Sequence, residues 1–489
     1  MMKMTPEARN RAIGMWGLAI CMLCIAAGWM FMRFGVSWSV ADLPESDNVV
    51  RIIPAYIIAE VMLIPLGAKL ADLWGVKRVL LIGPIVFIMG SILSIISVNV
   101  EMLIVFRFIQ GLGGGIILGL GFTAVGRYYG PDERGKCHEL MTASFAIGSL
   151  FASAAGYFLT DTFNWRVGFI VLAVLTIVGC LMAWKFLPED EGSSASLDKV
   201  NLFLVTILFG IAAFYTQSVN VDYDLISVPS LVTVAAIIVL LIFTIWQSKR
   251  SSDPFIPVGI SGFEKKLIIL MFMFSLCGLG LIQYYFKLYL TYYNFDIYEA
   301  SFNFMLLILG AAGPSLLGCR MVTKTGIRPW VTVGAICVAI SLVLTHFVAS
   351  EGELWFGLSL FVFGFGLGMI VTEIIISLQR ITPKKDMGQH TGNLMAVRMI
   401  GILTGNAVVG AYINDVIHSN YAPDVINIST SDKILSEIAK HLSDDIQYMA
   451  QSMNDGFMFI VLVMAAVAVL LAVVAYTLKK YDLENRSEE

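Results

Sequence analysis

A chain of 489 residues with 58% hydrophobic and only 14% charged side chains, and a mean hydropathy of +0.81, lies outside the balance of soluble domains, where about a quarter of residues are charged. The composition places it in a membrane, and a formal net charge of −4 is too small to point to a nucleic-acid partner. Seven cysteines, at 21, 24, 137, 180, 277, 319 and 337, have no paired spacing and read as packing residues, so neither a disulfide framework nor a metal site is expected.

Fourteen apolar runs approach the roughly 20 residues that cross a bilayer as a helix. They cover 13–36, 50–68, 79–97, 102–126, 138–160, 166–187, 200–218, 228–247, 265–291, 299–318, 330–348, 354–378, 388–413 and 457–477. Their length and continuity predict helices, because barrel strands are about ten residues long and alternate. The first run follows a basic stretch, as a signal peptide would, but it is long and lacks a clear small-residue cleavage site, so it reads as helix 1. With the N-terminus placed in the cytoplasm, most of the 32 Lys and Arg fall on that side. A multi-pass protein of the cell membrane with both termini cytoplasmic is therefore expected.

The loop between the second and third runs reads GAKLADLWGVKR, and GCRMVTKTGIRP at 318–329 repeats its glycines and basic residues. Further on, Gly111, Gly113 and Gly115 match Gly364, Gly366 and Gly368, Gly135 matches Gly388, and Gly148 matches Gly401, all at an offset of 253. A preserved offset implies a duplicated six-helix unit. Both copies begin on the cytoplasmic side, so the repeats are parallel, as in transporters whose halves rock around a midplane site. Helices 7 and 8 belong to neither copy. The expected organisation is a bundle over 1–190, a linker with two inserted helices over 191–260, and a second bundle over 261–489 with a long outer loop at 414–456. In that loop Ile434, Ile438, Leu442, Ile446, Met449 and Met453 recur at helical spacing, which predicts an amphipathic helix on the membrane surface or over the outer mouth.

GAKLADLWGVKR resembles the loop motif of the major facilitator superfamily, G-x-L-A-D-R-x-G-R-K, with Ala68 at the first glycine, Leu70, Ala71, Asp72, Gly75 and Lys77 in place, and Val76 for a basic residue. Arg107 and Gln110-Gly111 in RFIQGLGGG are similar to the family's helix 4 motif, R-x-x-Q-G. The fourteen runs, the inserted pair and FNWRVGF at 163–169 resemble the drug:proton antiporter branch. The resemblance implies an all-α membrane protein with the major facilitator fold, made of two parallel six-helix repeats plus two inserted central helices. It also implies a conformational latch at Ala68, Asp72, Gly75, Lys77 and Arg78, although for the two basic residues an ordinary positive-inside turn is an equal reading.

Ionisable groups inside a span cost about 2.5–3.5 kcal/mol on insertion scales, so each is a functional candidate. Glu60 and Glu373 are the two carboxylates well inside the runs, and Arg107 and Arg398 are buried cations. Glu60 or Glu373 is expected to carry the coupling proton, tuned by Arg107, because desolvation disfavours a charged carboxylate and a nearby arginine opposes that. The alternative for Glu60 is a permanent ion pair that only fixes packing. Arg33, Tyr56, Gln110, Lys287 and Arg398 are substrate-path candidates, and Gly111, Gly115, Gly148 and Gly401 supply close helix packing.

Two departures from the branch stand out. Helix 1 reads AAGWMFMRFG, without the branch's acidic residue, and Ala152-Ser153 occupies the place of its helix 5 Gly-Pro pair. Four intramembrane cations against two carboxylates would suit an amphipathic anion.

HELMT at 138–142 lacks the second histidine of a zinc protease, and the chain has no phosphate loop, so no cofactor and no enzyme activity are expected. The expected function is proton-coupled efflux of small amphipathic or drug-like compounds by a functional monomer whose partners are its small-molecule substrate, protons and the lipid bilayer. The alternative is a proton-coupled importer of an organic anion or other small solute.

Overall fold

The computed structural model describes residues 5–478 apart from 45, 47, 193–197, 220–222, 224–226, 252–262, 277–302, 304, 312, 315–324, 349–352 and 421–442. Within its helices, side chains at 33–41, 131–132, 150, 153–158, 160–161, 353, 413–420 and 443–457 are not described.

The first half comprises α1 (Pro6–Asp42), α2 (Ile52–Trp74), α3 (Val76–Ile95), α4 (Val100–Tyr128), α5 (Pro131–Thr162) and α6 (Trp165–Phe186). The inserted pair is α7 (Lys199–Ser218) and α8 (Val228–Arg250). The second half has α9 (263–276) and α10 (305–311), followed by α11 (Ile327–Val348), α12 (Glu353–Ile381), α13 (Met387–Asn420) and α14 (Ser443–Tyr476). Among the described residues, 11 helices are long and apolar enough to cross a membrane.

Helix starts follow local chemistry. Asn99, Asn164, Asp198 and Ser227 each accept a hydrogen bond from a first-turn amide of α4, α6, α7 and α8. Gly75 ends α2 and begins α3 at φ +86°, a left-handed conformation that costs glycine little. At the opposite end of this half, FNWRVGF staples three helices. Asn164, Trp165 and Arg166 all donate to Asp42 Oδ2, the arginine at 2.7 Å, while Arg166 also donates to the carbonyls of Ile95 and Ser97 at the end of α3.

Packing between helices runs through glycine. A Cβ on Gly111, Gly115 or Gly119 of α4 would lie 2.2, 2.1 and 2.3 Å from the carbonyl oxygens of Tyr56, Glu60 and Ile64, so this stripe lets α4 lie directly on the α2 backbone. Gly148 of α5 faces the Leu23 carbonyl of α1 in the same way, and Gly401 of α13 faces Ser275 and Phe272 of α9. The halves meet where α2 and α4 pack on α13 and where α5 packs on α12.

α7 lies against α2 and α13, and α8 is held to α7 by paired bonds between Asn201 and Ser248 and by a Tyr215–Ser230 bond. Most of the remaining α8 surface is exposed and apolar, as a lipid-facing helix requires.

The outer loop differs from its expected span of 414–456. α13 continues to Asn420 and α14 begins at Ser443, so Ile446, Met449 and Met453 belong to an extension of the last apolar helix instead of a separate surface helix. An apolar pattern at helical spacing cannot by itself mark where one helix stops. Ile434, Ile438 and Leu442 lie outside the described residues.

Candidate functional site

Two clusters hold the sequence candidates, one midway through the bundle and one at the end that carries the α2–α3 loop. Arg107 of α4 is fully buried and makes no ion pair at contact distance with a carboxylate among the described residues. Its guanidinium donates to Gln110 Oε1 and to the Gly28 carbonyl (3.0 Å), and it lies over the Tyr56 ring at 4.3 Å and the Phe169 ring at 5.8 Å. Neutral acceptors and ring faces thus stabilise a buried cation. The sequence placed Tyr56 and Gln110 on the substrate path, yet their polar atoms are already engaged. Tyr56 donates to the Ile25 carbonyl, and Gln110 donates to Ser91 Oγ.

Glu60 follows one turn after Tyr56, and both its carboxyl oxygens are buried with no hydrogen-bond partner among the described residues. Among the described residues no ion pair joins it to Arg107, so the permanent pair is not formed in this conformation. Glu373 of α12 is equally buried and, among the described residues, equally without a hydrogen-bond partner. Arg398 of α13 is half-buried and makes no hydrogen bond or ion pair among the described residues.

Helical rise sets the depth of these three charges. α2 runs antiparallel to α13, with Asp72 at Gly388 and Ala68 at Gly392, while Gln379 of α12 meets Thr391 of α13. At 1.5 Å per residue, Glu60 lies about 18 Å from Asp72, Arg398 about 15 Å from Gly388, and Glu373 about 9 Å from Gln379. The two carboxylates and Arg398 therefore share one layer, contributed by both halves. The side chain of Arg33 and all of Lys287 lie outside the described residues.

At the loop end, the Asp72 carboxylate accepts from the backbone amides of Gly388 (2.8 Å) and Gln389 (2.7 Å). These amides open α13, where unsatisfied N–H groups and the helix dipole favour an anion. The bond crosses from one half to the other. Close approach depends on Ala68 and Gly388, since a Cβ on Gly388 would sit 2.1 Å from the Ala68 carbonyl oxygen. Lys69, buried on the same turn, donates to Gln389 Oε1 at 2.7 Å.

α3 draws its cap from elsewhere: Asp190, in the segment after α6, accepts from the amides of Val76 and Lys77. Arg127 then ties the cluster together, 3.6 Å from Asp190 and 4.0 Å from Asp72 and donating to the carbonyls of Ala71 and Asp72. Lys77 Nζ lies 3.5 Å from the exposed Glu189, and Arg78 is exposed.

Sequence reasoning missed Lys69, Arg127, Asp190 and Gln389. Arg127 carried a signal, because Arg380 stands at the repeat offset of 253. Asp190 carried none, being one acid in the run PEDEG of a segment that read as a linker.

A family model described as Major Facilitator Superfamily matches residues 18–406. The chain belongs to the Major Facilitator Superfamily.

Among its relatives are Multidrug resistance protein 3 of Bacillus subtilis (strain 168), 24% identical over 402 residues (81% of this chain, 78% of the relative), and Multidrug transporter protein MdtP of the same organism, 24% identical over 423 residues (84% and 77%). Among solved structures, the human organic anion transporter MFSD10 aligns with a TM-score of 0.65 at 13% identity, covering 96% of this chain and 100% of its own. The proton:xylose symporter XylE aligns with a TM-score of 0.63 at 12% identity, covering 96% and 95%. At those identities the likeness is one of fold. The molecule is thus an all-α superfamily transporter of the membrane, with multidrug transporters among its sequence relatives.

Proposed function

We propose that this transporter couples the export of small amphipathic or drug-like compounds to proton entry, by alternating access between its two six-helix halves. The loop end is the cytoplasmic face, as its basic residues indicate, and both termini lie there. Asp72, Arg127 and the first turn of α13 hold that face shut in the conformation described above. Opening it breaks the bonds from Gly388 and Gln389 and moves α2 relative to α13.

The observation that carries the coupling is the pair Glu60 and Glu373, each buried mid-bundle without a donor among the described residues, on helices that flank α13 from opposite halves. A carboxyl group in such a place binds and releases its proton according to which face water reaches it from. Arg107, held on neutral acceptors, can shift that equilibrium when the halves rock without being lost to a fixed pair.

The test is uptake of a lipophilic fluorescent cation into inverted proteoliposomes under an imposed pH gradient. Glu60→Gln or Glu373→Gln is expected to cut gradient-driven uptake by roughly tenfold or more, equivalent to about 1.4 kcal/mol. If both variants still follow the gradient, neither carboxylate is the coupling site.

One observation favours the import of an organic anion as a second reading: Arg398 stands half-buried in the same layer, with no hydrogen bond or ion pair among the described residues. Under that reading an amphipathic anion, and not the cation, is carried, and Arg398→Ala abolishes its transport.

A further inference from the structure

We propose that His138, Gln379 and Arg134 form a second joint between the halves, separate from Asp72, which opens in every cycle and re-forms only when the His138 ring carries a single proton. The inference rests on the alternating-access reading.

His138 is fully buried on α5 of the first half, with Nε2 2.8 Å from Oε1 of Gln379 on α12 of the second. The amide of Gln379 is oriented by two further bonds, its nitrogen donating to the Phe122 carbonyl of α4 (3.1 Å) and to Thr391 Oγ1 of α13 (3.2 Å). Its oxygen can therefore only accept, and His138 Nε2 must be the donor. The remaining ring nitrogen, Nδ1, is then the bare one, buried and without a hydrogen-bond partner among the described residues.

One turn earlier, Arg134 donates to the carbonyls of Gln379 (3.0 Å), Gly126 (2.9 Å) and Tyr129 (3.0 Å), so the same two residues of α5 hold both the side chain and the backbone of Gln379.

A second proton on His138 would have to sit on Nδ1, where nothing accepts it. The charged groups around it are also of the wrong sign. Arg134 is on its own helix, and Arg380 on α12 acts on Arg134. On α4 the Phe122 ring stacks at 5.8 Å, and Arg127 is turned to Asp72 and Asp190. α13 offers Thr391, and its neighbour His390 faces Glu264 at 3.6 Å. Glu139, next on α5, points about 100° away around the helix. Among the described residues no carboxylate pairs with His138.

The internal repeat locates this joint. At the offset of 253, His138 corresponds to Thr391, Arg134 to Met387 and Gly126 to Gln379. Both His138 and Thr391 bond Gln379, so equivalent positions of the two copies converge on one side chain. The joint lies where α4, α5, α12 and α13 meet, and any opening of the loop end that parts α5 from α12 exposes the histidine to water. There an imidazole with an ordinary affinity near pH 6.5 takes up a second proton. Acidity on that face then holds the molecule open and slows its return.

The experiment uses the full chain in lipid nanodiscs with genetically encoded spin labels at Lys185 and Lys385, exposed positions at the loop ends of the two halves. In the wild type the population with separated labels should rise by roughly threefold or more between about pH 7.5 and pH 5.5. His138→Asn keeps an N–H donor for Gln379 but cannot be charged, and it should remain closed at both values. Gln379→Glu places an anion opposite the ring, favours the doubly protonated histidine, and should reverse the response, with more closure at pH 5.5.

A wild type without the rise, a His138→Asn variant that retains it, or a Gln379→Glu variant that keeps the wild-type sign each overturns the joint. A single label distance under every condition and in every variant would instead overturn alternating access itself.

Discussion

Asp72 does two things at one position. It completes the amides that begin α13, and it anchors Arg127, which also holds Asp190 on the far side of the loop. Hydrogen bonds to a charged acceptor contribute about 1.5–3 kcal/mol each. Asn keeps one acceptor oxygen and loses the charge, so Asp72→Asn is expected to shift the closed population by about ten- to a hundredfold, read from inter-half label distances, and to slow transport in step. Thr323, which takes the place of Asp72 in the second copy, carries no charge, and Thr323→Ala should change little.

At the other end, bonds from Asn164 and then Arg166 hold the Asp42 carboxyl below its usual range, against an opposing effect of burial. A lowered folded-state pKa stabilises above the unfolded value, near 3.8, and that stability is lost as pH falls through the folded value. Asp42→Asn should therefore lower the melting temperature at pH 7, and its difference from wild type should shrink as pH falls below the unfolded value and through the folded one. Asp72 was legible as a motif residue. Asp190 was not, because only folding brings a residue after α6 to the start of α3.

Among the elements, α4 depends most on small residues. At Gly115 a side chain would have to displace the Glu60 backbone, whereas Gly130, at the start of α5, has nothing within 4 Å. Overpacking of this kind costs about 1–3 kcal/mol. Gly115→Val should lower the melting temperature in detergent by several degrees and reduce transport, and Gly130→Ala should leave both near wild type.

Among the described residues helix existence was legible in the sequence, because apolar runs of membrane length have few other structures open to them; most of the expected spans 265–291 and 299–318 lies outside those residues. Helix ends were less so. The extension of α14 to Ser443 contains Asp444, Asp445 and Asn454, polar residues that no hydropathy pattern assigns to a spanning helix. The inserted pair is similar: its apolar runs were plain, but its polar clamps, Asn201 to Ser248 and Tyr215 to Ser230, join residues far apart in the chain.

Across the whole molecule, the duplication explains both the likeness of the halves and where they differ. Equivalent positions hold His138 and Thr391, Gly126 and Gln379, Asp72 and Thr323, so both joints at the loop end are chemically one-sided although built on a repeated frame. The charges midway through the bundle follow the same rule, with Glu60 from one half and Glu373 and Arg398 from the other brought to a common depth by antiparallel packing on α13.

What the sequence determined alone was the membrane setting, the helices, the repeat and the family, because each is written in local hydropathy or in spacing along the chain. What the tertiary structure decided was partnership. Asp72 bonds the amides of α13 in the other half, Arg107 rests on neutral groups apart from Glu60, Tyr56 and Gln110 are spent inside their own half, and His138 meets Gln379. Apart from the Arg107–Gln110 bond within α4, these pairs span helices whose relative rotation and depth are set by packing, and that information is not local to either residue.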